Sequence, residues 1–181
     1  MSIDPSVNRL PRSVNARKLV QCEQRLEGVV AAAELERLGQ AVESIDGDIN
    51  AKLNFERGPL GHLMVSGSAD CRVKILCQRC LQPILKEVET QLHWGIVWSE
   101  EQGQALPRDL DPIIQDGDEL NLYDVLEDEL LLSLPMVAYH EDQCVAPDRF
   151  LSSDADDSAE GEQRKNPFQV LERLKGSSGK S

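Results

Sequence analysis

The sequence has few aromatic residues and no long apolar run. Aromatic residues make up 4% of the 181 residues, and hydrophobic residues make up 40%. The leucine run at residues 130–132 is far shorter than the roughly 18 apolar residues of a membrane-spanning helix. The first residues also lack the apolar stretch of a secretory signal. We therefore predict a cytoplasmic protein that makes no membrane contact.

Sequence patterns of catalysis are missing too. The sequence has no glycine-rich phosphate loop, no nucleophile elbow and no triad pattern. His62 and His93 have no nucleophile or carboxylate pattern around them. The acidic run at residues 127–129 points its side chains to different sides of a helix, so we predict a solvated face. We expect a non-enzymatic protein without a small-molecule substrate.

Positive charge is scarce except at the two ends. The formal net charge is −13 and the isoelectric point is near 4.6, so the body is expected to repel RNA and attract basic proteins. Residues 1–25 carry five basic against two acidic residues, and residues 163–181 carry five against one. Candidate RNA contacts near the start are Arg9, Arg12, Arg17 and Lys18. The simpler alternative is that these side chains only solvate a tail.

Hydrophobic periodicity predicts an α+β fold. Strands are predicted over residues 18–30, 44–55, 60–76 and 84–98. A helix is predicted over residues 31–42, and a second helix begins at the N-cap residue Asn121 and ends at Pro135. The expected fold class is an antiparallel β-sheet or partly closed barrel of long strands packed with a few helices. Cys22 and Cys71 lie within strand patterns and are predicted to be core residues.

Composition divides the chain into a body and tails. We predict a flexible basic arm (1–17), an α+β domain (18–150), a disordered acidic linker (151–165), a short C-terminal helix (166–175) and a tail (176–181). The short helix has a cap, a proline at its first position and one apolar stripe, formed by Asn166, Pro167, Phe168, Leu171 and Leu174. A helix this short is unstable alone, so these residues are predicted to dock on the body or on a partner.

The most chemically specific motif is the cysteine pair Cys77 and Cys80. A C-x2-C pair can place two thiolates on one tetrahedral zinc ion, and His140 and Cys144 are the candidates for the other two ligands. Three interpretations stay open: a structural zinc site, a redox-active pair, or ordinary reduced thiols. The odd count of five cysteines favours a reducing compartment.

Four segments occur in an order and at spacings that match a known family. They are residues 76–83 around the cysteine pair, the acidic helix 125–135, His140 with Cys144, and residues 166–175. Together they resemble the bacterial YceD family of large ribosomal RNA subunit accumulation proteins. The resemblance implies a ribosome-biogenesis role in synthesis, processing or stability of 23S ribosomal RNA. It supplies no catalytic residue.

Three hypotheses remain for how such a role is performed. In the first, the acidic body holds a ribosomal protein or a large-subunit assembly or processing factor, and residues 166–175 serve as a docking segment. In the second, the basic ends bind RNA directly. In the third, the cysteines make the protein a metal- or redox-responsive regulator.

Overall fold

The computed structural model describes residues 8–58 and 61–146. The predicted acidic linker, C-terminal helix and tail lie outside the described residues, as do residues 1–7. The chain divides into two compact units after Cys144, and the fold described below is that of the first unit. No helix in the described part of the chain is long and apolar enough to cross a membrane.

The architecture is α+β, as predicted, with long strands in a sheet that remains open. The strands are β1 (Ser13–Val14), β2 (Arg25–Val30), β3 (Ser44–Ile45), β4 (Ile49–Arg57), β5 (Leu63–Leu76), β6 (Pro83–Val97), β7 (Asp111–Ile114) and β8 (Leu120–Asn121). The helices are α1 (Ala16–Gln21), α2 (Glu36–Ala41), α3 (Glu100–Gln104) and α4 (Leu122–Leu132), with a 3-10 turn at Ala32–Glu34.

One sheet dominates the fold. Its strands follow the order β2-β4-β5-β6-β7, with β3 also paired to β5, while β1 and β8 form a separate two-stranded sheet. Strands β4, β5 and β6 make the antiparallel meander that the alternation predicted, and β7 joins β6 in parallel. The long β5–β6 hairpin keeps an unbroken register from Leu63↔Ile96 to Leu76↔Pro83. The residues that connect β5 to β6 therefore lie at one end of the sheet.

The core lies between the sheet and the helices. Residues of β4 alternate in burial as predicted, and Leu53 and Phe55 are almost completely buried. Helix α4 begins at the predicted cap, because the Asn121 side chain accepts from the backbone N–H of Tyr123. Its Leu126 and other apolar residues pack into the same core as Trp94 of β6. Burial of each large apolar side chain stabilises the fold by roughly 1.5–3 kcal/mol.

The predicted strand over residues 18–30 is wrong in its first half. Residues Ala16–Gln21 form α1, whose cap Asn15 accepts from the backbone N–H of Lys18 at 2.9 Å. The chain then turns at Glu23, whose φ is 47°, before β2 begins. Cys22 lies at the end of α1 and is exposed rather than in the core, whereas Cys71 is buried as predicted.

Two other predicted elements are each divided. The helix expected over residues 31–42 is a 3-10 turn followed by the short α2. The strand expected over residues 44–55 is divided into β3, which pairs with β5, and β4. Gly47 lies between them with a φ of 92°, a conformation that glycine adopts without steric cost. Alternation does not reveal such breaks, because both pieces keep their apolar residues on the core side.

Residues 8–17, assigned from sequence to a flexible arm, pack on the domain. Leu10 is 3% exposed, and its backbone N–H donates to the Val29 carbonyl at 2.9 Å. The Tyr123 hydroxyl donates to the Leu10 carbonyl at 2.7 Å. A Cβ on Gly28 would lie 2.5 Å from the Asn8 carbonyl oxygen, so glycine permits this close approach. The packing depends on distant partners, which local composition does not identify.

The acidic run of α4 is not a solvated face throughout. Glu127 is 5% exposed and accepts from Arg37 Nε at 2.8 Å and from the Leu38 backbone N–H at 3.0 Å. Glu129 accepts from Trp94 Nε1 at 2.8 Å. Glu127 therefore satisfies a backbone donor in the first turn of α2, where N–H groups have no partner within the helix. Only Asp128 of the three is largely solvated.

Candidate metal centre

The cysteine pair lies at the tip of the β5–β6 hairpin. Cys77 directly follows β5, and Cys80 occupies the turn before β6. The Leu81 N–H donates to the Cys77 carbonyl at 2.9 Å, and the Cys77 N–H donates to the Gln82 carbonyl at 3.0 Å. Leu81 has a φ of 59°, which brings the chain around into β6. The turn therefore presents both thiols on one side of the hairpin tip.

The segment after α4 returns to this tip. The backbone N–H of Gln78 donates to the Ala138 carbonyl at 2.8 Å. The Arg79 guanidinium donates to the carbonyls of His140 and Asp142, and it lies 5.2 Å from the centre of the Tyr139 ring. These contacts bring residues 138–144 against the cysteine pair. No role was predicted for Arg79 from the sequence, although its position between the two cysteines of the C-x2-C motif could have indicated one.

The structure brings together all four candidate metal ligands. The ligand atoms of Cys77, Cys80, His140 and Cys144 lie within 4.8 Å of one another. The Cys77 and Cys144 Sγ atoms are 3.7 Å apart, and Cys80 Sγ is 3.4 Å from His140 Nδ1. Tetrahedral zinc with Zn–S near 2.3 Å and Zn–N near 2.0 Å gives corresponding separations of about 3.8 and 3.5 Å. The donor set and its spacing therefore fit zinc.

The surroundings of the cluster shift the pKa values of Cys77 and Cys144 in opposite directions. Burial works to raise the pKa of Cys77, but hydrogen bonds from the backbone N–H groups of Cys80, Arg79 and His140, and from the His140 side chain, lower it to about 5. Burial, followed by the neighbouring Cys80 and Cys77, raises the pKa of Cys144. Three thiols this close do not all ionise without a compensating charge, and a divalent cation supplies that charge.

Among the residues that the structure describes, packing around the centre is sparse. Cys77 is fully buried, and within residues 8–58 and 61–146 its cluster contains Ile84 and Ala138 as further buried residues, separate from the main core. So small a cluster contributes little of the apolar burial that normally stabilises a fold. A bond network through a metal ion offsets that deficit in small metal-binding units.

We predict that the cysteines react with an alkylating reagent in three steps. Exposed Cys22 reacts in the zinc-loaded protein, and the three ligand cysteines react after chelation because the segment covering them is released. Cys71 reacts only after denaturation, because burial, with a smaller effect of Asp70, raises its pKa to about 11. Mass spectrometry of the alkylated protein counts one, four and five modified cysteines in turn. Four modified cysteines without chelator would contradict a metal-bound cluster.

Two of the four candidate RNA contacts, Arg12 and Arg17, are engaged by other side chains of the domain. Arg12 pairs with Glu34 at 2.8 Å and lies over the Tyr123 ring. Arg17 lies 4.7 Å from the centre of the Trp98 ring. Arg9 and Lys18 are exposed. The predicted docking residues Asn166, Pro167, Phe168, Leu171 and Leu174 lie outside the described residues.

Comparison with known proteins places the chain in a family. No solved structure matches it. The large ribosomal RNA subunit accumulation protein YceD of Haemophilus influenzae is 30% identical over 171 residues, which cover 92% of this chain and 97% of that protein. The sequence model of the YceD family, described as large ribosomal RNA subunit accumulation protein, matches residues 65–175. That match begins at the third residue of β5 and includes β6, α4 and all four candidate ligands. The chain belongs to the YceD family.

Proposed function

We propose that the protein supports the accumulation of 23S ribosomal RNA as a non-enzymatic binding factor built around a structural zinc ion. The family name supports the role in ribosomal RNA accumulation. The observation that carries the mechanism is the cluster of Cys77, Cys80, His140 and Cys144, inside the region that the family shares. None of the five cysteines, all of which lie within the described residues, forms a disulfide, which suits the reducing cytoplasm, where ribosomes are assembled.

The donor set favours a structural over a catalytic metal site. Three thiolates and one imidazole complete a tetrahedral shell, so no coordination position is left for water or substrate. One ligand pair comes from the hairpin tip, and the other comes from the segment after α4. The ion thereby cross-links two parts of the chain that are about sixty residues apart. Its role is to hold a surface in shape.

A redox role for Cys77 and Cys80 has less support. Redox-active pairs expose the attacking thiol to their partner protein, whereas Cys77 is fully buried. His140 and Cys144 lie close enough to complete a four-ligand metal site with the pair, and a dithiol redox pair has no need of them. Zinc therefore accounts for more of the cluster than thiol exchange does.

Protein contact has more support than direct RNA contact. Arg12 and Arg17, two of the four predicted RNA-contacting residues, already engage Glu34 and Trp98. The net charge of −13 opposes approach to phosphate. We therefore propose a ribosomal protein or a large-subunit assembly or processing factor as the direct partner. Residues 166–175 remain a predicted docking segment, joined to the domain by the predicted linker.

Complementation tests the proposal. In cells lacking the gene, the ratio of large-subunit to small-subunit ribosomal RNA is expected to fall, and the wild-type protein restores it. Cys80→Ser is expected to fail because the zinc shell is incomplete. Cys22→Ser, which alters an exposed cysteine outside the cluster, is expected to succeed. Full rescue by Cys80→Ser would count against the zinc centre, and an unchanged ratio in the deletion cells would count against the RNA role.

A further inference from the structure

Exposed apolar side chains gather around the metal centre. Nine large apolar side chains are exposed in the described part of the chain, and six of them lie in residues 76–85 and 136–139. We call these six the knuckle surface: Leu76, Leu81, Leu85, Met136, Val137 and Tyr139. Met136 is 100% exposed and Leu81 is 65% exposed. Soluble proteins seldom expose such a gathering unless it binds something.

Two grooves border the knuckle surface. Leu76 and Met136 line the first, which has a volume of about 400 Å³ and also contains Ala138. Leu85 and Tyr139 line the second, of about 460 Å³. The hydrogen bond from Gln78 to the Ala138 carbonyl joins the hairpin tip to the returning segment between them. Four of the six exposed apolar side chains therefore line grooves beside the hairpin tip and the segment bonded to it.

The surface is held in place before any partner arrives. Leu81 lies in the turn that is closed by the backbone hydrogen bonds of Cys77 with Leu81 and Gln82. Tyr139 lies against the Arg79 guanidinium. Arg79 in turn donates to the carbonyls of His140 and Asp142. Apolar side chains on a fixed backbone bind at a lower entropic cost than those on a mobile loop. Methionine and tyrosine are also enriched in protein interfaces.

The outer face of the β5–β6 hairpin carries acidic residues beyond Lys74, which lies opposite Leu85. The register places Asp70 opposite Glu89 and Arg72 opposite Glu87, and side chains two residues apart on a strand share a face. Leu85 therefore lies on the same face as Glu87 and Glu89. A groove of about 550 Å³ along this face is lined by Asp46, Asp48, Asp70, Glu87 and Glu89, with Arg72 as its one basic residue. Arg72 is 3.5 Å from Asp46, which reduces its attraction for other anions.

We propose that the knuckle surface and the adjoining acidic groove bind a basic protein segment. The apolar side chains of the partner would pack against Leu81 and Met136, and its lysine or arginine side chains would approach Glu87 and Glu89. Phosphate of RNA or of a membrane is disfavoured by this acidic face. The proposal rests on the proposed function, because the zinc centre holds residues 138–144 in position.

Site-specific photo-crosslinking in living cells tests the proposal with the full-length protein. A benzophenone amino acid replaces Leu81 or Met136, and a control carries it at Ile114, which is 52% exposed on β7. We expect both knuckle positions to capture the same basic protein, identified by mass spectrometry, with yields on the order of tenfold above the control. Capture of RNA, a second copy of this chain or an acidic protein would overturn the proposal, as would yields equal to the control.

Substitutions separate the docking surface from the zinc centre. Two variants are compared with the crosslinker at position 81: the single variant Met136→Ser and the double variant Glu87→Lys, Glu89→Lys. Each is expected to lower capture of the basic protein on the order of tenfold. Both should keep the zinc content of the wild type, and Ile114→Ser should change neither quantity. Undiminished capture in both variants would overturn the docking site. If Met136→Ser loses zinc, capture by the double variant Glu87→Lys, Glu89→Lys decides whether the docking site exists. A wild-type protein that shows capture but carries no zinc would overturn the zinc centre while the docking site stands.

Discussion

Replacing Cys80 with serine is expected to lower bound zinc from about one equivalent to less than about a tenth. Cys80 is one of the four candidate ligands, and its Sγ lies 3.4 Å from His140 Nδ1. With three ligands left, the small buried cluster around Cys77 has little else to stabilise it. Metal analysis of the purified protein measures the loss directly. Hydrogen exchange is expected to show faster exchange at residues 138–144.

The main core should survive this substitution. Trp94, Phe55 and the apolar face of α4 belong to a cluster separate from the metal centre. Far-ultraviolet circular dichroism should therefore stay close to that of the wild type, which distinguishes local release from global unfolding. Cys22→Ser is the matched control, because Cys22 is exposed and lies outside the ligand set. A wild-type protein that carries no zinc and is indifferent to chelator would contradict the prediction.

Replacing Glu127 with alanine is expected to destabilise the domain by about 3 kcal/mol. The substitution removes a charged acceptor and leaves the Leu38 N–H, in the first turn of α2, without a hydrogen-bond partner. Arg37 is affected less, because its side chain is 51% exposed and keeps its ion pair with Asp128. Urea denaturation, with the free energy of unfolding compared at equal slope, measures the effect.

Two further variants make the interpretation specific. Asp128→Ala removes the neighbouring carboxylate, which is 58% exposed, so a change within about 0.5 kcal/mol is expected. Glu127→Gln keeps an oxygen acceptor for the Leu38 N–H, so its free energy of unfolding should lie between those of the other two variants. A Glu127→Ala protein as stable as Asp128→Ala would mean that the buried carboxylate does not connect α2 to α4.

Local pattern was enough to predict much of the fold. Alternation in β4 predicted which face is buried, because a strand places every second side chain on the core side. Asn121 marked the start of α4, because an asparagine side chain caps the first turn from within the same segment. The C-x2-C spacing identified Cys77 and Cys80, since two thiols in one turn can reach one ion.

Features that depend on distant partners escaped sequence analysis. Residues 8–17 have little periodicity, and they are ordered through contacts with Val29 and Tyr123. Glu127 has the composition of a solvated residue, and its burial depends on Arg37 and Leu38, about ninety residues earlier in the chain.

The α+β class, the buried faces of the long strands and the four candidate ligands could all be predicted from local sequence patterns. The meeting of Cys77, Cys80, His140 and Cys144, and the exposed leucine, methionine and tyrosine side chains near them, became visible only in the folded chain. Separation along the chain explains the difference. Periodicity and capping act over a few residues, whereas the approach of residues 138–144 to the hairpin tip depends on Arg79 and on the path of the chain after α4.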